Sequence, residues 1–175
     1  MRRRQSARRR RRHLLPARKR RITTWVLIGI GVLSTVLIFI FQVDRIFPPR
    51  IDGDDAAQVA VGKRIYAEAC ASCHGASLEG QLDWQKRLPN GRWPAPPLDA
   101  SGRAWRHTDR VLFEITKAGS AVYPKGYQTD MPAFGQRLTN DEIAAALAFI
   151  KSIWPVDIRA RQTRLSLKFW VTAEH

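Results

Sequence analysis

Between Ile22 and Val43 the chain runs for 22 residues without a charged side chain, ITTWVLIGIGVLSTVLIFIFQV, bounded by Arg21 and Asp44. As a helix this segment reaches roughly 33 Å at 1.5 Å per residue, enough to cross a hydrocarbon core of about 30 Å. It reads as one transmembrane helix, with Trp25 where an interfacial aromatic belongs. A cleaved signal peptide would have a shorter apolar region, about 7–15 residues, followed by small residues at a cleavage site. Here the segment closes on Phe39-Ile40-Phe41-Gln42-Val43, which favours an uncleaved anchor. The expected organisation follows: a basic arm over 1–21, an anchor over 22–43, a linker over 44–54, a folded domain over 55–155 and a tail over 156–175.

Charge supports that division. The 175 residues carry a net +15, but residues 1–21 hold 12 Lys or Arg and no acid, whereas residues 52–155 hold 12 bases and 12 acids. The folded part is neutral, so no nucleic-acid partner is expected of it. The arm could bind RNA or anionic lipid, yet an ordinary topogenic run accounts for the same charges. Basic flanks are retained in the cytoplasm, which places everything after Asp44 outside. The expectation is a single-pass protein of the inner (cytoplasmic) membrane, in contact with the lipid bilayer, with its folded domain on the periplasmic or external side. A twin-arginine signal is not favoured, because no Arg pair here precedes the stretch such signals carry.

Pro48 and Pro49 stiffen the exit from the span, and Ile51 to Asp55 form a polar hinge. From Ala56 to Cys70 the residues Val59, Ile65, Tyr66 and Ala69 recur at helical spacing, with Gly62 placed where another element could approach closely. Residues 76–107 are broken by Gly80, Pro89, Gly91, Pro94, Pro96, Pro97 and Gly102 and read as loop. A second helix is expected from the Thr108 cap to Gly119, burying Val111, Leu112 and Ile115. Thr139-Asn140-Asp141-Glu142 is a capping box for a third helix, whose stripe is Ile143, Leu147 and Ile150 and whose end is Pro155. No strand pattern competes. The tail's Leu165, Leu167, Phe169 and Trp170 alternate with Ser166 and Lys168, favouring neither helix nor strand.

The chain's two cysteines stand together in Cys70-Ala71-Ser72-Cys73-His74. This spacing is the attachment pattern for haem c: two thiols on one helical turn can each form a thioether with a haem vinyl group, and His74 then falls under the iron. A thioredoxin-like redox pair needs no adjoining His and expects a βαβ setting. A structural zinc site needs four ligands, and His13, His107 and His175 show no ligand-pair spacing. A plain disulfide leaves His74 unexplained. For the sixth iron ligand the candidates are Met131, His107 and His175. His107 stands just before a helix cap and His175 is the last residue, while Met131 sits in a loop before Pro132.

These residues make the stretch from about Asp54 to Trp154 resemble the class I c-type cytochromes with one haem. In that family a Gly and an aromatic precede the first Cys by eight and four residues, as Gly62 and Tyr66 do here. The family packs that first helix against an aromatic of its C-terminal helix, a place Phe149 fills. The resemblance also implies a Pro-x-Leu, here Pro96-Pro97-Leu98, whose Pro carbonyl receives the proximal His proton, and a distal Met before a Pro, here Met131-Pro132-Ala133-Phe134. The expected fold is thus all-α, a class I cytochrome c fold of about 3–4 helices around one covalent haem, preceded by one transmembrane helix. Cys70, Cys73, His74, Pro96, Leu98 and Met131 would bind the cofactor, with His74 and Met131 on the iron. The Gln81–Trp93 loop, with Trp84 and Trp93, and the tail after Pro155 depart from the family pattern.

The expected function is single-electron transfer between membrane-bound partners; a quinol-oxidising complex or a terminal oxidase is implied by resemblance alone. Two axial protein ligands leave no position for substrate, so no enzyme activity is expected. Two alternatives stand beside it: an electron-transfer subunit of a larger membrane oxidoreductase, with the tail as an assembly surface, or a haem-based gas sensor or peroxidase if Met131 leaves the iron.

Overall fold

The computed structural model describes the backbone of residues 17–46 and 49–172, and the side chains of residue 22, residues 24–40 and residues 49–167. Most of the basic arm, with His13, lies outside the described residues, as do His175 and the side chains of Phe169 and Trp170. The chain divides into two compact units, Met1–Asp44 and Arg45–His175.

The first unit contributes helix α1, Ala17–Ile46. Every side chain described in it is exposed, from Ile22 and Trp25 to Phe39 and Ile40. Thr35 donates its hydroxyl to the Gly31 and Val32 carbonyls at 2.9 and 2.8 Å, which satisfies it inside the helix. Among the described residues no helix is long and apolar enough to cross a membrane; the described side chains of α1 cover only part of the 22–43 stretch.

The second unit is helical, and a lone bridge between Trp93 and Thr129 is the β pairing among its described residues. Helix α2, Ala56–Ala69, begins where the Asp55 carboxylate accepts the Ala57 and Gln58 N–H groups at 2.9 and 3.1 Å. A single turn, α3, spans Ala71–His74. Helix α4, Asp109–Ala118, is capped by Thr108, which accepts the Val111 N–H at 3.3 Å. Helix α5, Asn140–Ile153, carries the full Thr139–Glu142 capping box. Helix α6, Val156–Thr172, follows at once. Pro155 therefore has two jobs: it stops α5 and its carbonyl accepts the Arg159 N–H at 2.9 Å in the first turn of α6.

Helix α5 is the centre of the core. It buries every residue from Ile143 to Lys151, not a single stripe, because its four alanines leave room for neighbours on several sides. On one side α2 comes so close that a Cβ on Gly62 would overlap the Ala145 carbonyl. Tyr66 and Phe149 pack beside this contact with ring centroids 5.3 Å apart. On the other side α4 presents Leu112, Phe113 and Thr116. The expected stripe through Val111 and Ile115 is rotated: Val111 is 37% exposed. Thr116 can turn inward because its hydroxyl donates to the Leu112 carbonyl at 2.9 Å.

The tail is the largest departure from expectation. Its helix α6 packs Ile158 against the core and then, one and two turns on, buries Gln162 and Ser166, so most of its inward side is polar. The Gln162 amide donates to the Asp109 carboxylate at 2.8 Å and to the His107 carbonyl at 3.1 Å, and the Asp109 N–H donates to Ser166 Oγ at 3.0 Å. Lys151, also buried, donates to both Asp109 oxygens at 2.8 and 3.0 Å and to the Ile51 carbonyl at 3.1 Å. One carboxylate thus ties together α4, α5 and α6.

Candidate haem site

Helix α2 ends at Ala69, and Cys70 serves as its C-cap, donating its N–H to the Tyr66 carbonyl at 2.9 Å. The same residue starts α3: its carbonyl accepts the Cys73 and His74 N–H groups at 3.1 and 3.0 Å. Gly75, at φ 84°, ends the turn. The Tyr66 hydroxyl donates to the Gly75 carbonyl at 2.7 Å, so the turn is fastened to the helix before it. Both cysteine thiols are free, Cys73 exposed and Cys70 half-buried. Burial, and then the neighbouring Cys73, push the Cys70 thiol up to about 11.

His74 is buried, and its Nδ1 lies 2.8 Å from the Pro96 carbonyl oxygen. A carbonyl can only accept, so Nδ1 carries the proton and donates it, leaving Nε2 as the basic nitrogen. Burial lowers the imidazole pKa, outweighing the Pro96 hydrogen bond that raises it, and this favours the neutral, metal-binding form. The carbonyl is held in place by a short ladder. Gln81 N–H donates to the Ala95 carbonyl at 2.9 Å, Ala95 N–H to Gln81 Oε1 at 2.8 Å, and Leu98 N–H to the Leu78 carbonyl at 2.8 Å. Trp154, from the end of α5, donates its indole N–H to the Leu98 carbonyl at 2.8 Å. Leu98 itself packs against the main core.

Met131 is half-buried in the loop between α4 and α5. The described contacts do not join its side chain to His74; they bring its loop to the segment just ahead of Pro96. Trp93 N–H donates to the Gln128 carbonyl at 2.8 Å, Arg92 Nη2 to the Thr129 carbonyl at 2.6 Å, and Arg92 Nε pairs with Asp130 at 2.5 Å. Tyr127 stacks on Trp93 with centroids 5.9 Å apart, and Tyr123 packs tilted against Tyr127 at 4.4 Å. Nothing in the sequence marks these ties, since Trp93 stands in a loop broken by Pro and Gly.

The residues present fit a haem. Two unpaired thiols stand on one turn, a neutral imidazole beside them has one nitrogen already committed, and a thioether sits in a loop clasped to the same segment. The Trp93 indole N–H is buried without a hydrogen-bond partner, a donor that a carboxylate-bearing cofactor can satisfy.

A Cys-x-x-Cys-His turn following a helix packed on a central one, with the turn's His bonded to a Pro carbonyl, is the arrangement of a c-type cytochrome. The chain belongs to the family described as cytochrome c oxidase, cbb3-type, subunit III, which matches residues 57–150. It is 28% identical over 114 residues to cytochrome c6 of Rippkaea orientalis (strain PCC 8801 / RF-1), covering 65% of this chain and 84% of that one. It is 29% identical over 99 residues to the cbb3-type cytochrome c oxidase subunit CcoP of Azospirillum sp. (strain B510), covering 57% of this chain and 30% of that one. It is 26% identical over 127 residues to the gluconate 2-dehydrogenase cytochrome c subunit of Pantoea cypripedii, covering 70% and 26%. The matches to these last two proteins span less than a third of their lengths. Membership of this family implies covalently bound haem c, and with it haem-based electron transfer.

Proposed function

We propose that the chain is a membrane-anchored electron carrier with one haem c, ligated by His74 and Met131, that passes single electrons between membrane-bound redox partners and transforms no substrate of its own. When bound, the haem supplies a one-electron iron couple. Cys70 and Cys73 hold it by thioethers. His74 directs Nε2 to the metal because its Nδ1 proton is committed to Pro96, and that bond also raises the basicity of the ligand. Met131 would be the second protein ligand, and a neutral, soft thioether there would favour the reduced state and exclude small ligands. The observation that carries this reading is the 2.8 Å contact between His74 Nδ1 and the Pro96 oxygen.

Anchoring is supported by the uncharged run from Ile22 to Val43 and by the exposure of every apolar side chain described in α1, a surface that water does not tolerate at that size. The basic arm before it favours a cytoplasmic N-terminus, hence an inner-membrane protein whose haem domain is periplasmic or external. Two of the relatives are named as subunits, of a cbb3-type oxidase and of a gluconate dehydrogenase. They favour a second reading in which this chain is the electron-transfer subunit of a larger oxidoreductase.

Carbon monoxide tests the ligation. The oxidised protein should show the weak long-wavelength charge-transfer band of sulfur on ferric haem, and the reduced protein should resist carbon monoxide. Met131→Ala should lose the band, lower the potential and bind the gas. Rapid carbon monoxide binding by the wild type at neutral pH would remove Met131 from the iron and leave the sensor or peroxidase reading in its place.

A further inference from the structure

On the face where α6 meets the 3₁₀ turn Ala104–Arg106 there is a cleft of about 620 Å³ lined by Trp105, Arg106, Arg161, Arg164 and Leu165. None of Cys70, Cys73, His74, Pro96 or Met131 lines it. The guanidinium carbons of Arg106 and Arg161 lie 5.0 and 5.3 Å from the centre of the Trp105 ring. One indole therefore gathers two like charges, with Arg164 as a third on the wall. Among the described residues none of these three arginines has a carboxylate within ion-pair distance, whereas Arg50, Arg64, Arg92 and Arg159 each do. Converging cations without a counter-charge are matched by an anion, and guanidinium groups fit phosphate oxygens in bidentate fashion.

The walls are fixed. Trp105 donates its indole N–H to the Ala100 carbonyl at 3.2 Å. Gln162 and Ser166, which alternate with Arg161 and Leu165 along α6, are buried and bonded to Asp109. Beside the cations the cleft is apolar: Leu165, on its wall, is 40% exposed. A free phosphate or an acidic peptide would use the arginines and leave the indole and Leu165 in water. A phosphate diester carrying acyl chains uses both kinds of wall, its phosphate on the guanidinium groups and its chains on the indole and Leu165.

We propose that this cleft binds the headgroup of an anionic phospholipid and seats the α6 face of the haem domain on the bilayer. The site's access to lipid rests on the anchored topology proposed above, but its binding chemistry does not, and the test separates the two. Haem-loaded full-length protein in nonionic detergent is titrated calorimetrically with dihexanoyl phosphatidylglycerol, dihexanoyl phosphatidylcholine, inorganic phosphate and a decaglutamate peptide. Saturable binding of the phosphatidylglycerol is expected, at least tenfold tighter than of phosphate, with no saturation by the other two. R161Q/R164Q should weaken it at least tenfold with an unchanged haem spectrum. Leu165→Gln, an exposed change that spares the fold, should weaken lipid binding but not phosphate binding. The proposal falls if phosphatidylglycerol does not saturate, if phosphate binds as tightly, if the peptide binds more tightly and marks a protein partner, or if R161Q/R164Q binds like wild type. Whether the chain partitions with membranes after carbonate washing tests the anchor alone.

Discussion

Gly62→Ala probes the contact on which the whole haem-binding turn depends. A Cβ there would stand 2.5 Å from the Ala145 carbonyl carbon and 3.0 Å from Phe149 Cβ, and would overlap the Ala145 oxygen. Carbon atoms rest at about 3.5–4.0 Å, so α2 and α5 must part by about 1 Å. Overpacking of this kind costs about 1–3 kcal/mol, and the upper end applies because the obstacle is backbone on both sides and cannot swing away. Alanine returns about 1 kcal/mol of helix propensity relative to glycine. The net loss is about 2 kcal/mol, on the order of 30-fold in the folding equilibrium. The damage should reach the site, since Tyr66, one turn on, packs against Phe149 and holds the Gly75 carbonyl. Urea denaturation of the haem-loaded chain in nonionic detergent, followed by haem absorbance, should show a lower midpoint at unchanged slope. A variant as stable as wild type, or about 1 kcal/mol more stable as propensity alone dictates, would refute the close approach of the two helices.

Lys151→Met strips the buried cation from Asp109; because that carboxylate is 27% exposed and keeps the Gln162 amide, the expected cost is about 2 kcal/mol, below the 3–5 of a fully buried pair, and a wild-type urea midpoint would contradict it. Glu142→Gln tests the capping box by pH: the Thr139 N–H and hydroxyl hold the Glu142 carboxyl below its usual range, so its stabilisation is complete above the ordinary carboxylate pKa and is lost as pH falls through the depressed one. The Gln variant keeps the hydrogen bond without the titration, and should lack that part of the acid loss in a pH series of melting curves. Cys70→Ala and Cys73→Ala should each keep haem on the denatured chain through one thioether at most, read by haem staining after denaturing electrophoresis.

What the sequence made legible is what local chemistry dictates. The Thr108 cap and the Thr139 box need only their own neighbours, and Gly62 and Tyr66 fall within one helical period, whereas the pairing of Tyr66 with Phe149 could be read only from the family resemblance. Helix α6 was not legible, because after Ile158 its inward face is Gln162 and Ser166, and a hydrophobic period cannot mark a polar seam. The rotation of α4 was hidden for a related reason: Thr116 counts as polar until its hydroxyl is seen to bond inside its own helix. At the site, the His74–Pro96 pairing could be read from a resemblance. The role of Trp93 could not, since it depends on a pairing with residues 127–130 across some thirty-five positions of irregular chain.

That pairing and the end of α4 together decide where Met131 can go. On one side Arg92 and Trp93 hold residues 128–130. On the other, the last turn of α4 carries the loop: Ser120 N–H donates to the Met131 carbonyl at 3.2 Å, Phe134 N–H to the Thr116 carbonyl at 3.2 Å, and Gly135 N–H to the Lys117 carbonyl at 2.9 Å. Gly119 makes this possible. Its φ is 61°, where a side chain is strained, and a Cβ would stand 2.6 Å from both the Pro132 carbonyl carbon and the Ala133 nitrogen. Gly119→Ala therefore pushes the residue next to Met131 by about 1 Å to restore a normal contact, while α2, α3 and α5 are untouched. If the loop's position is what keeps the thioether on the iron, this variant should keep its covalent haem and helical content, lose part of the sulfur–iron band and admit carbon monoxide faster than wild type. A variant that loses stability yet retains the full band and the same resistance to carbon monoxide would show that the ligand does not depend on this turn, and the clasp would then serve the fold alone.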